Sequence, residues 1–187
     1  GNNSIFYTLP SLVDGLAVTA SYRPAGSTTV AADNASATGY GITYTGVEGL
    51  SVSYGVANKE TGVATTSGDQ TVMKASYAYG PLTASYSNND YDIASTANNN
   101  SDQETTSWAV SYTVSDAISV TYGEETIDTG NVTSGSEIDA EYSGITAAYT
   151  AGGMTITAKM MEGDNVAHST DADEDMEYWS LGLSFAF

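Results

Sequence analysis

The chain has no cysteine, one histidine, three phenylalanines and four basic residues among its 187. Without cysteine there is neither a disulfide framework nor a thiolate metal site. One histidine, His168, in a polar acidic loop, leaves little for a transition-metal centre or a general base. It reads as a solvated loop residue. Four Lys plus Arg against 23 Asp plus Glu give a net charge of −19. That excludes a nucleic-acid binder, which needs a basic stripe along the phosphates, and disfavours electrostatic docking on anionic lipid. No apolar run is long enough for a transmembrane helix. No basic segment followed by an apolar one opens the chain, so no signal peptide is read at Gly1. Tyrosine, at 14 residues, outnumbers phenylalanine, at 3. The aromatic set is therefore amphipathic and suits a polar–apolar boundary.

What the chain does have is a repeated phrase. Leu16-Ala-Val-Thr-Ala-Ser-Tyr22, Leu50-Ser-Val-Ser-Tyr54, Leu82-Thr-Ala-Ser-Tyr86, Ile118-Ser-Val-Thr-Tyr122 and Met154-Thr-Ile-Thr-Ala158 alternate large apolar with small residues. Alternation of period two is the strand signature, and its recurrence every 32–36 residues means hairpins in series. Eleven strands are expected, at 3–9, 16–23, 37–45, 50–58, 70–79, 82–91, 105–114, 117–126, 137–150, 154–162 and 176–187. Two kinds of connection alternate between them. Short ones such as Gly46-Val-Glu-Gly49, Gly80-Pro81 and Ala151-Gly-Gly153 carry turn chemistry. Long ones, near 24–36, 59–69, 92–104, 127–136 and 163–175, are rich in Asn, Asp, Ser, Thr and Gly.

Short turns at one rim and long loops at the other are the asymmetry of an outer-membrane β-barrel. The large apolar residues would then face lipid, and Ser, Thr, Gly and Ala the interior. A soluble β-sandwich would use the same apolar set as its core. The small uncharged hydroxyl face argues for the barrel instead, since a solvated surface normally carries more charge. The fold expected is all-β, an antiparallel transmembrane barrel.

The segment from Asn3 to Tyr22, with Leu12-Val-Asp-Gly-Leu16 as its turn, resembles the trimeric general-diffusion porins of Gram-negative outer membranes. Gly39-Tyr-Gly-Ile-Thr-Tyr44, Val47-Glu-Gly-Leu50 and Tyr54-Gly-Val-Ala57 continue the likeness, and the alternating end Leu181 to Phe187 is similar to the family's insertion signal. The resemblance implies sixteen strands, a homotrimer and passive diffusion of small hydrophilic solutes and ions. It further implies an outer-membrane location among lipid and lipopolysaccharide. An odd number of strands does not close an antiparallel barrel. The expectation is that this chain is the C-terminal portion of a longer porin, with Gly1 just after the constriction loop. Closure as ten or twelve strands is the alternative. The family's constriction arginine is best matched by Asn2, so that contact looks absent.

Candidate pore-lining charges follow from parity. Arg23, Lys74 and Lys159 read as inward because their neighbours Tyr22, Ala75 and Ala158 alternate outward, and Lys59 does so less securely; a positive charge facing lipid would cost about 2–4 kcal/mol at the midplane. Asp139 and Glu141 also read as inward, between outward Ile138, Ala140 and Tyr142, with a bulge at Gly144 resetting the parity before Ile145. Two such carboxylates would bias the pore toward cations, unless Lys159 neutralises them. Asp171, Asp173 and Asp175 offer oxygen ligands suited to Ca²⁺ or Mg²⁺, weighed against a plain solvated acidic rim. No other cofactor is implied, and no nucleophile, base and acid combine into a catalytic set. The functional expectation is a cation-leaning diffusion channel. An adhesin or receptor barrel using the acidic loops is the alternative.

Overall fold

The computed structural model describes residues 3–10, 12–26, 35–60, 67–93, 102–129, 138–168 and 175–186. These residues form a single sheet of eleven strands in chain order, every neighbouring pair antiparallel. The strands are β1 Ile5–Thr8, β2 Leu16–Arg23, β3 Ser36–Tyr44, β4 Leu50–Glu60, β5 Gly68–Tyr79 and β6 Leu82–Ile93, then β7 Gln103–Ser115, β8 Ile118–Thr129, β9 Ala140–Ala151, β10 Met154–Asp164 and β11 Met176–Phe185. A 3₁₀ turn, Val166–His168, follows β10. No helix among the described residues is long and apolar enough to cross a membrane, which leaves crossing by strands open.

A sandwich is ruled out by the burial pattern. The buried hydrophobic residues described are Ala35 and Ala140. Large apolar side chains stand open instead, Trp179 at 76% and Leu181 at 70% exposure. Among the described residues no second layer covers the sheet, so the solvent that satisfies these side chains is lipid.

The short turns close with glycine in the left-handed region at Gly15, Gly49, Gly80, Gly152 and Gly153. Gly49 shows why: at φ +76° an added Cβ would sit 2.2 Å from the Ala78 carbonyl oxygen. Each turn also extends the ladder to the next hairpin. Thr45 N donates to Gly15 O (2.7 Å), Ala78 N to Gly49 O (2.8 Å) and Ala186 N to Gly153 O (2.7 Å). The short-turn rim is thereby tied together by backbone hydrogen bonds, to which Thr45 Oγ1 adds one to the Gly15 carbonyl at 3.4 Å.

Register sorts the faces without reference to residue type, because directly opposed residues share a side. One face runs Val18, Ile42, Tyr54, Met73 across β2–β5. The other runs Thr43, Ser53, Lys74, Ser87, Ser107 across β3–β7. The second is knitted by hydroxyl pairs, Thr43–Ser53 at 3.0 Å, Ser87–Ser107 at 2.8 Å and Ser111–Thr121 at 2.7 Å. The expected bulge at Gly144 is not there. β9 pairs without interruption with both β8 and β10, and the irregularity falls instead in β7 between Thr113 and Ser115.

The outward aromatics mark the height of the apolar band. Tyr86 opposes Trp108, and Met160 opposes Trp179. Tyr44, Tyr77 and Tyr112 stand nearer the short turns. Amphipathic rings at both edges of an apolar belt are what a bilayer selects.

Candidate pore wall

The hydroxyl face encloses an open trough of about 810 Å³, floored by Ser51, Ser53, Ser76, Ser85, Ser87, Ser107 and Thr121. Small side chains leave that volume empty. Lys74 lines it, opposed by Ser53 on β4 and Ser87 on β6. Lys159 is on the same face, opposed by Thr146 on β9 and Ser180 on β11. Arg23 and Lys59 share a row of that face, each opposite Ala37 on β3. All four basic residues of the chain are therefore on the hydroxyl side.

The carboxylates are not where alternation from Ile138 and Tyr142 put them. Tyr142 opposes Glu125, which opposes Ser107, so Tyr142 faces the trough and Glu141 does not. Glu141 opposes Thr126, in the row of Thr106, Asn88 and Met73 on the apolar side. Asp139 precedes β9 and acts electrostatically on Asp128, which shares the apolar-side parity of Glu104 and Asp90. Glu141 is therefore not on the face of Lys159. On β10, Glu141 is opposite Asp164, five residues from Lys159, or about 17 Å along the strand.

The wall acid is Glu125, which the sequence-based expectation does not include: Glu124 and Glu125 both border the trough, and the register turns Glu125 to the hydroxyl face opposite Ser107. Its neighbour Glu124 turns the other way and accepts hydrogen bonds from Trp108 Nε1 (3.2 Å) and Tyr122 Oη (2.6 Å). The outward run Ile118, Val120, Tyr122 already carried the signal: Glu124 continues it and Glu125 alternates.

Other carboxylates gather on the apolar-side parity of the strands' long-loop ends. Asp92 lies six residues beyond Tyr86, and Asp128 four beyond Glu124, which opposes Trp108, so they stand about 20 Å and about 14 Å past the Tyr86–Trp108 row and outside the membrane-spanning part. Asp92 is pushed above the ordinary aspartate value, first by the charge of Asp102, then by desolvation and by Asp69 and Asp90. Asp128 is pushed up by burial first, then by Asp139 and Glu104, with His168 acting against.

His168 is half-buried, and its Nδ1–H donates to the Ile138 carbonyl at 2.9 Å, tying the turn after β10 to the start of β9. It is a staple, not a freely solvated side chain. Asp173 and Asp171 lie outside the described residues, and Asp175 Oδ1 accepts from Asn165 N at 3.0 Å. No cluster of three or more metal-ligating side chains occurs among the described residues.

Comparison with solved structures finds the same architecture in larger barrels. An anion-selective porin from Comamonas acidovorans superposes with a TM-score of 0.73 at 17% identity, over 100% of this chain and 60% of that one. A porin refined at 1.8 Å gives 0.70 at 18%, over 97% and 60%. The outer-membrane protein OmpT of Vibrio cholerae gives 0.63 at 15%, over 96% and 61%. The chain thus spans about three-fifths of the solved porins it matches. No match was found among curated proteins. A sequence profile of Gram-negative porins matches residues 1–165. Such proteins are outer-membrane channels rather than enzymes, and it is to the Gram-negative porin family that this chain belongs.

Proposed function

We propose that this chain forms part of the wall of a passive, water-filled pore for small hydrophilic solutes, and that its wall favours anions. One observation carries the second half: the strand residues on the hydroxyl face include Arg23, Lys59, Lys74 and Lys159 but a single carboxylate, Glu125. The cation-leaning expectation rests on Asp139 and Glu141; the register turns Glu141 away from the hydroxyl face, and Asp139 precedes β9. Apart from Glu125, the carboxylates within the strands alternate away from the hydroxyl face, and salt screens exposed charge beyond about 10 Å at 0.1 M. Wall charges in a narrow low-dielectric surround act on the permeating ion more directly. The anion-selective Comamonas neighbour agrees in sign. A homotrimer in lipopolysaccharide-bearing membrane is the assembly the family resemblance implies.

An adhesin or receptor barrel would need bulky side chains filling the interior. The trough's Ser, Thr, Gly and Ala speak against it. The test is the zero-current potential of the protein from its native membrane, reconstituted in planar bilayers across a KCl gradient. A potential of anion sign supports the reading. A cation sign overturns the wall argument, and no conductance overturns the channel.

A further inference from the structure

Two of the wall cations are not spread along the pore but paired at its long-loop mouth. Arg23 ends β2, Lys59 is the penultimate residue of β4, and the residue between them on β3 is Ala37. Their Cα atoms are two strand spacings apart, about 9.6 Å. The next residue in the row, opposite Lys59 on β5, is Gly68. Small residues between and beside two long cationic side chains leave a recess of about 280 Å³, lined also by Ser21, Gln70 and Tyr91. Gln70 and Tyr91 face each other across β5 and β6, and Gln70 Nε2 donates to Asn89 Oδ1 at 2.7 Å, which fixes the amide at the recess wall.

The register supplies no carboxylate to this row. Asp69 and Glu60 alternate to the other face, and Asp69 Oδ1 accepts from Asn58 Nδ2 at 2.6 Å. A guanidinium and an ammonium lining one recess with hydroxyl and amide groups, and with no carboxylate among the described residues that line it, fit a multiply charged oxyanion. Arginine supplies paired N–H donors and lysine a point charge.

We propose that Arg23 and Lys59 form an oxyanion subsite at the long-loop mouth, selecting phosphate- or carboxylate-bearing solutes ahead of monovalent ions. It rests on the channel reading and names the solute class for that pore. A solute held there transiently is concentrated before it meets Lys74 further in, and weak holding is what permits onward passage.

The test is chloride current through the natively assembled protein as inorganic phosphate is added at constant pH and ionic strength. The expected result is a saturable fall in current. R23Q and K59Q each raise the half-effect concentration at least about tenfold, as loss of one charge-assisted contact implies. K74Q and K159Q shift it less than twofold, though they alter chloride selectivity. R23K and K59R, which keep the charge and so keep folding demands close to native, retain most of the effect. Chloride current indifferent to phosphate overturns the subsite alone, as does equal sensitivity to all four neutral variants. Absence of any chloride current overturns the channel reading with it.

Discussion

Exchanging two adjacent residues of β10 should cost the protein more than deleting the charge they carry. Lys159 faces the hydroxyl wall, while Ala158 faces outward between Ala147 and Leu181. The double variant A158K/K159A keeps composition, mass and net charge and moves one ammonium through the sheet. The outward band on β10 runs from Met154 to Met160, so Ala158 is one residue, about 3.4 Å, from its centre. A lysine at that depth costs about 2–4 kcal/mol, or about 30- to 700-fold in the folding equilibrium. K159A alone moves no charge toward lipid and should lie within about 0.5 kcal/mol of the parent. The assay is urea-dependent folding of the full-length protein into lipid vesicles, read by tryptophan fluorescence and by heat-modifiable mobility on gels. If the exchange is as stable as K159A, the face assignment of β10 is wrong, and with it the placement of Lys159 in the lumen.

Further outcomes follow from the same register. E125Q should shift the zero-current potential toward anions while E141Q leaves it unchanged, measured in the same bilayer cell; the reverse pattern restores the sequence-based assignment. G49A should destabilise by more than about 1–2 kcal/mol, the cost of a left-handed alanine, because its Cβ also meets the Ala78 carbonyl; melting temperature reads it. Asp92 and Asp128 bind protons more tightly folded than unfolded, so stability should fall as pH rises from the ordinary aspartate range through their raised values, and recover on acidification. D92N should flatten part of that slope in thermal melts at pH 4.5 and 7.5.

The strands were legible because membrane barrels leave period-two alternation unmixed: a lipid face rejects polar groups and a water-filled lumen needs none of the apolar ones. The eleven strands, their short turns and the inward parity of Arg23, Lys74 and Lys159 all follow from that. The side of β9 is not legible locally: the size of Ile138 and Tyr142 suggests outward, which requires a bulge at Gly144 that the pairing does not contain. A lumen tolerates tyrosine, and Tyr142 sits there opposite Glu125. Only pairing with β8 decides the side, and pairing is not written locally. The meeting of Arg23 and Lys59 was illegible for the same reason. They are 36 residues apart in sequence, and two registers must be known before they share a row.

The central claim is that the face bearing Lys74 and Lys159 is wet and the other is in lipid. The absence of native cysteine makes it testable by single-cysteine substitution at residues 155–160, reacted with a membrane-impermeant thiol reagent on the assembled protein. The account predicts fast labelling at 155, 157 and 159 and protection at 156, 158 and 160. Labelling without period two, or with the opposite phase, would contradict it.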